Sequence, residues 1–315
     1  MKDEFVLGID TSNYTTSVAI LNTHGELIAN LRRLLPVKQG ERGLRQSEAV
    51  FSHIKNIPLL MEEVKTLVSG KRIVAIGVSE KPRNAEGSYM PCFLSGVAVA
   101  QSMAAATGAP LYRFSHQCGH IMSALYSCNA QELLENEFCA FHVSGGTTEV
   151  LRVVPDGYSF KAEKLGGALD LNAGQVIDRV GVALGLSFPA GAELEALAML
   201  NDKKIPKKSV SANGFNVSLS GLENLAAQML SKTSDKSLVA AFVFDYVAKA
   251  ILHLSEECIS RYGDTPIVYA GGVMRNTIIK KALSSYANAR FAEPDMSSDN
   301  AVGIATLALR AYNSK

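Results

Sequence analysis

Cysteine is scarce and unpatterned. Cys92, Cys118, Cys128, Cys139 and Cys258 include no C-x-x-C pair, which excludes a disulfide-stapled scaffold and a cysteine-built zinc site and fits reduced thiols in an intracellular enzyme. Charge of one sign is lacking too. The 31 Lys and Arg stand against 30 Asp and Glu, a formal net charge of +1, so no global pull toward nucleic acid or a membrane surface operates. Any hold on RNA must come from a local patch or a partner. Long apolar runs are also missing: Gly96 to Tyr112, the longest low-charge stretch, is interrupted by Gln101, Ser102, Thr107, Gly108 and Pro110. It reads as a buried helix ending near Gly108, with no membrane involved. The opening MKDEFVLGID carries two acids ahead of Asp10 and lacks the pattern of a secretory signal, so a cytoplasmic protein is expected. What the sequence has is core material: 47% hydrophobic residues over 315 positions, enough for two domains and too much for a collagenous or disordered chain.

A weak internal repeat organises the chain. Phe5 to Asp10 reads as a buried strand, Thr11 to Thr16 as a small-residue turn, Ser17 to Leu21 as a second strand, Asn22 to Gly25 as a turn and Glu26 to Arg33 as a third strand. The grammar returns in Phe138 to Val143, the turn Ser144 to Thr148, Glu149 to Val154, the turn Pro155 to Gly157, and Tyr158 to Lys164. Helix and buried strand then alternate in each half. Helices over Ser47–Val68 and Val97–Thr107 enclose a strand at Ile73–Ser79; helices over Asn172–Gly185 and Lys236–Arg261 precede one at Pro266–Ala270. Strands first, then alternating helix and strand, predict an α/β fold with mixed sheets and helices on both faces. Two such units would enclose a ligand cleft, and turns of Gly, Ser and Thr would offer it converging N–H groups and short hydroxyls suited to phosphate.

Several residues have side chains suited to chemistry. Asp10 closes the first strand, where a carboxylate either positions a phosphate loop or metal-bound water or simply starts a turn. Val143-Ser-Gly-Gly-Thr-Thr148 offers backbone donors plus three hydroxyls. His116 and His120, four apart in Ser115-His-Gln-Cys-Gly-His120, fall on one helical face one turn apart, as a divalent metal needs. Gln117 stands where a metalloprotease carries Glu, so that chemistry is disfavoured. Asp299 is the best third ligand, its rival role being a helix cap; His142 is a further candidate. On the helix from Asn172, Val176, Ile177, Val180 and Leu184 face the core, while Gly174, Asp178 and Gly181 share another strip, open to a flat ligand or needed for close packing. Gly271 and Gly272 sit at a strand's carboxyl end, the usual nucleotide side of α/β sheets. Lys203-Lys-Ile-Pro-Lys-Lys208 reads as an exposed loop.

Together these segments resemble the TsaD family of threonylcarbamoyl transferases, relatives of sugar kinases, actin and chaperone ATPases. The resemblance covers nearly the whole chain: Gly8-Ile-Asp-Thr-Ser12 with Thr16-Ser-Val-Ala-Ile20, Ile57-Pro-Leu59, His116-x-x-x-His120, Val143-Ser-Gly-Gly146, Leu165-Gly-x-x-Leu-Asp170, Ala173-Gly174 and Asp178, Gly185-Leu, Pro189-x-Gly191, Ser218-Leu-Ser-Gly-Leu222, Gly271-Gly-Val273 with Asn276, and Asp299-Asn300. It implies two duplicated actin-like ATPase (ribonuclease H-like) domains, 1–130 and 131–299, with a terminal helix at 300–315 packing back on the first. It also implies a divalent metal, Fe, Zn or Mn, on His116, His120 and Asp299, with Mg²⁺ as another candidate ion. The ligand would be ATP, ADP or a threonylcarbamoyl-adenylate. Asp10, Ser12 and Thr16 would form the opening loop, Val143, Ser144, Gly145, Gly146 and Thr147 would line the transferring group, and Asp178, Gly191, Glu195, Gly271, Gly272 and Asn276 would hold the nucleotide. The implied acceptor is an adenosine amine of tRNA, with protein partners of the TsaB or TsaE type or a second copy of the chain.

The chain departs from the family pattern at defined places. Tyr14 and Thr15 replace an acidic pair, Thr147 a His, Cys118 a Glu, Ser47 and Phe51 an acid and a base ahead of His53, and Glu223 a Lys; Glu80 to Glu86 replaces a Gly-Pro-Gly turn. Three readings stand at this level: the transferase, a paralogue that keeps nucleotide binding as a partner or regulatory module, and a small-molecule kinase using Asp170.

Overall fold

The computed structural model describes residues 4–36, 44–286, 288–293, 296 and 300–314. The chain divides into two compact units, Met1–Asn136 with Val154–Ala162 and Asp295–Lys315, and Glu137–Val153 with Glu163–Pro294.

Unit 1 opens with strands β1 (Glu4–Thr11), β2 (Thr15–Asn22) and β3 (Leu27–Leu34), followed by α1 (Gln46–Leu67), β4 (Arg72–Lys81), α2 (Phe93–Thr107), β5 (Leu111–Ser115) and α3 (His116–Ser127). The strand order is β3-β2-β1-β4-β5. β1 runs antiparallel to β2 and parallel to β4. Alternation along the strands creates two buried faces. Phe5, Leu7, Ile9, Val18, Ile20, Ile76 and Val78 pack with Leu60 and Val64 of α1 and Ala100 of α2. Gly8 and Gly77, on the opposite face, meet the chain's last helix, which is counted as α9 below. A Cβ on Gly8 would lie 2.5 Å from the Ala301 carbonyl oxygen, and one on Gly77 2.6 Å from that of Ile304. These glycines let that helix seat on the strands. Residues Val154–Ala162 belong to this unit too, where Tyr158 meets Tyr112 and Phe114 edge-on at 6.0 and 6.4 Å.

Unit 2 comprises β6 (Phe138–Val143), β7 (Thr148–Asp156), β8 (Ser159–Ala168), α4 (Ala173–Ala183), α5 (Gly191–Met199), β9 (Ser211–Asn213), β10 (Asn216–Ser218), α6 (Ser220–Thr233), α7 (Lys236–Tyr262), β11 (Ile267–Ala270), α8 (Thr277–Leu283) and β12 (Ala289–Phe291). Its sheet runs β12-β11-β6-β7-β8-β10-β9. The five strands β8-β7-β6-β11-β12 repeat the order of unit 1, so the duplication read from the sequence is present in the topology. α7 is long and apolar enough to cross a bilayer by length and composition, but most of it is buried in one core with Phe141, Val176, Ile177 and Tyr269. The last helix, α9 (Val302–Asn313), packs within unit 1 against β1, β4 and α3.

The expected elements are found with shifted ends. α2 starts at Phe93 rather than Val97 and stops, as read, at Gly108, whose φ of +72° suits glycine.

Candidate functional site

In unit 1, the parallel neighbours β1, β4 and β5 end close together and bring Asp10, Ser79 and His116 into contact. Asp10 is fully buried, a position that a carboxylate tolerates only among donors. Its Oδ2 accepts the N–H of Ser12 at 3.2 Å, and its Oδ1 accepts a short hydrogen bond from the Ser79 hydroxyl. The same Oδ1 lies 2.8 Å from Nδ1 of His116. Because the partner is a carboxylate, Nδ1 carries the proton, and Nε2 is the nitrogen suited to a metal.

His116 begins α3 because the Ser115 hydroxyl accepts the N–H of Cys118 at 3.2 Å and starts the helix there. His120 follows one turn on, its ring centroid 4.3 Å from that of His116 and nearly perpendicular to it. Among the described residues no three His, Cys, Asp or Glu converge as an ion's ligand set; Asp299 lies outside the described residues. The pair nevertheless fits a metal: two imidazoles side by side, one oriented by a buried carboxylate through its far nitrogen, is the donor arrangement that divalent ions use. Cys118, between them, is buried, and burial pushes its thiol up; its Sγ accepts from Asn84 Nδ2 at 3.3 Å.

The turn after β1 is clamped from α1. His53, fully buried, contacts the Ser12 carbonyl oxygen through Nε2 and the Thr16 hydroxyl through Nδ1, both at 2.8 Å. Asn56 Nδ2 adds a bond to the Thr16 hydroxyl at 3.2 Å. Of the loop's altered residues, Tyr14 is exposed and Thr15 buried.

In unit 2, the Ser144 hydroxyl accepts the N–H groups of Gly146 and Thr147 at 3.2 and 3.1 Å, and the Ser144 N–H donates to the Thr147 carbonyl at 2.7 Å. Ser144 therefore shapes its own turn. Gly145 and Gly146 need no positive φ, and among the described residues a Cβ on either would meet nothing within 4 Å. Folding does not require glycine there; a ligand approaching the backbone would. Gly174 and Gly181 are different. A Cβ on them would lie 2.6 Å from the Gly145 nitrogen and 2.3 Å from the Ala190 Cβ, so of the two roles open for this strip of α4, close packing accounts for both glycines. Gly271 has φ +102° and presses on the Val143 carbonyl, while Gly272 is open.

Asn276 is buried and caps α8 by accepting the Ile279 N–H at 2.9 Å, yet its Nδ2 has no partner among the described residues. A buried, unpartnered donor needs an acceptor. Beside it, Glu195 accepts the Thr277 N–H at 2.7 Å and its hydroxyl at 2.5 Å. Asp178 accepts the Ala190 N–H at 2.8 Å and so holds the loop ahead of Gly191. His142 stands on β6 opposite the buried Glu149 of β7. Asp170, the carboxylate the kinase reading relies on, takes the N–H groups of Leu171, Leu219 and Ser220 and the hydroxyls of Ser218 and Ser220. Although desolvation pushes its pKa up, the two hydroxyls and the backbone donors hold its carboxyl well below the usual range. Its oxygens anchor a loop. Glu223, in place of the family's Lys, pairs with Arg179 at 3.3 Å.

A sequence profile described as "TsaD: tRNA N6-adenosine threonylcarbamoyltransferase" matches residues 37–306. The chain belongs to the TsaD family. A tRNA N6-adenosine threonylcarbamoyltransferase of Streptococcus suis (strain 05ZYH33) is 28% identical over 327 residues, covering 99% of this chain and 94% of that protein. Among solved structures, T. kodakarensis HypF superposes with a TM-score of 0.61 at 14% identity over 99% of this chain and 48% of that one. A ROK hexokinase from Thermus thermophilus gives 0.54 at 16% identity over 97% and 98%. At these identities the structures share the fold alone, which is the duplicated actin-like ATPase fold of sugar kinases. Ser79 and His53 are the site residues that single positions in the sequence did not reveal as such; their meaning depends on strand pairing and helix docking.

Proposed function

We propose that this TsaD-family chain is a cytoplasmic, metal-dependent transferase that moves a threonylcarbamoyl group from an acyl-adenylate to the adenosine amine of tRNA. The observation that carries the reading is the buried Asp10 carboxylate bonded to His116 Nδ1 beside His120. A divalent ion bound there would supply a Lewis acid for the phosphate or carbonyl of a mixed anhydride. His116 and His120 would hold it, with Asp299 the expected third ligand, and this donor set suits Zn²⁺, Fe²⁺ and Mn²⁺ alike. Asp10 keeps His116 in one tautomer and orientation. In unit 2, Gly145 and Gly146 admit a ligand to the backbone, and the Asn276 amide donates to an acceptor on the nucleotide. No covalent nucleophile is required, because the anhydride is already activated and needs only charge stabilisation.

The test is reconstitution with tRNA, threonine, bicarbonate, ATP and an adenylate-forming partner, read by nucleoside mass spectrometry. Modified adenosine is expected only with this chain and a divalent ion, and not with His120→Ala. A nucleotide-binding module without transferase activity is the second reading, favoured by the buried, neutral Cys118 where the family carries Glu. Tight nucleotide binding with no product establishes that reading instead. Elemental analysis of protein purified without chelator identifies the ion.

A further inference from the structure

We propose that Ser79 is a positioning residue for the metal pair: its hydroxyl, acting through Asp10, fixes the ring of His116 so that Nε2 is presented for ligation. The inference rests on His116 and His120 being metal ligands and assigns a role to a residue separated from the ion by Asp10 and His116. The sheet makes the arrangement. β1 and β4 run parallel with Ile9 beside Val78, so the next residue on each strand, Asp10 and Ser79, falls on the same side of the sheet. β5 lies on the other side of β4, with Ser79 opposite Phe114, and the chain passes from it straight into His116. Three neighbouring strand ends thus set hydroxyl, carboxylate and imidazole in line.

The chemistry of the shared oxygen gives Ser79 its leverage. Asp10 Oδ1 receives both the Ser79 hydroxyl and the His116 Nδ1–H, while Oδ2 receives the Ser12 N–H. Asp10 and Ser79 are both fully buried. A buried carboxylate keeps its charge only as long as its donors compensate the lost water. Without the Ser79 hydroxyl, Oδ1 keeps His116 but loses the donor that holds its plane, and the carboxylate turns. That turn releases the Nδ1–H of His116 from a single orientation. Outer partners of this kind typically set metal affinity within one to two orders of magnitude.

The experiment uses the full chain, stripped of metal and titrated with Co²⁺ by visible absorption and with Zn²⁺ by calorimetry, for the wild type, Ser79→Ala, Ser79→Thr and His120→Ala. Ser79→Ala is expected to bind about 10- to 100-fold more weakly while the metal-free protein keeps the wild-type circular dichroism, and Ser79→Thr, which keeps the hydroxyl, binds close to the wild type. Ser79→Ala binding as tightly as the wild type overturns the proposal and leaves the metal reading standing. A wild type that binds no stoichiometric ion, or a His120→Ala variant that binds undiminished, overturns the metal reading and the proposal with it. Should Ser79→Ala fail to fold, the unmodified metal-free protein still decides: long-range ¹H–¹⁵N spectra are expected to show His116 protonated at Nδ1 and bare at Nε2, and the opposite tautomer refutes the positioning role.

Discussion

His53 and Asn276 show how a single buried polar group ties the local fold to the site. His53 stays neutral because burial holds its pKa below the ordinary 6.5, outweighing the opposing pull of the Ser12 carbonyl and Asp10. In that neutral form Nε2 donates to the Ser12 carbonyl and Nδ1 accepts from the Thr16 hydroxyl. The folded state therefore refuses a proton that the unfolded chain takes up near pH 6.5, so the stabilisation from His53 is complete above that pH and declines as pH falls. Denaturant unfolding from pH 8 to 5 is expected to show the wild type losing its advantage over His53→Gln below about pH 6.5. A difference that stays constant with pH refutes the account. Asn276 permits a cleaner separation. Asn276→Ser keeps an acceptor to cap α8, a substitution the cap tolerates well, but deletes the unpartnered Nδ2 donor. Folding stability should hold or rise, while ADP affinity measured by calorimetry should fall by roughly tenfold, the worth of about one hydrogen bond. Equal ADP affinity would remove Asn276 from the nucleotide site.

At the scale of the elements, glycine falls into two populations. A Cβ on Gly8 meets the backbone of α9 at 2.5 Å, and backbone cannot yield as a side-chain tip can. Gly8→Ala should cost about 1–3 kcal/mol or more, because α9 must lift from β1. Gly145→Ala, whose Cβ meets open space, should change stability by less than about 0.5 kcal/mol and still weaken nucleotide binding. Thermal unfolding together with calorimetry checks both, and a large stability loss in Gly145→Ala would contradict the open placement. The same contrast explains what was legible in the sequence. Strand alternation and small-residue turns recur at short range, so β1 to β3, β6 to β8 and the duplication could be read directly, and the i,i+4 spacing of His116 and His120 marked the pair. Whether a glycine serves packing or a ligand depends on a neighbour far along the chain, so Gly174 and Gly181 looked the same as Gly145. Ser79 lies 69 residues from Asp10, and no local pattern announces that contact. α2 began four residues early because its Phe93-Leu-Ser-Gly start carries no clear apolar stripe, and β9 and β10, each only three residues long, had no period to detect.

For the whole molecule, charge is the property that bears on the acceptor. A net charge of +1 supplies no general attraction for a polyanion, so binding of tRNA depends on how many cations can meet phosphates at once. The densest set is the loop after α5. Lys203 there is committed to Asp235 at 2.6 Å, while Lys204, Lys207 and Lys208 are exposed. Each cation that displaces a counterion from RNA adds somewhat less than one unit to the slope of log affinity against log salt. The chain alone should therefore bind tRNA weakly and with a shallow slope, and replacing the three lysines by alanine should flatten that slope by about 2 units without altering Co²⁺ or ADP affinity. Filter binding across a salt series, with and without an adenylate-forming partner, measures this. If the slope is unchanged in the triple variant, the loop makes no phosphate contacts. If the slope becomes steep only when the partner is added, the partner supplies the cations, and the chain's own surface contributes chemistry rather than grip.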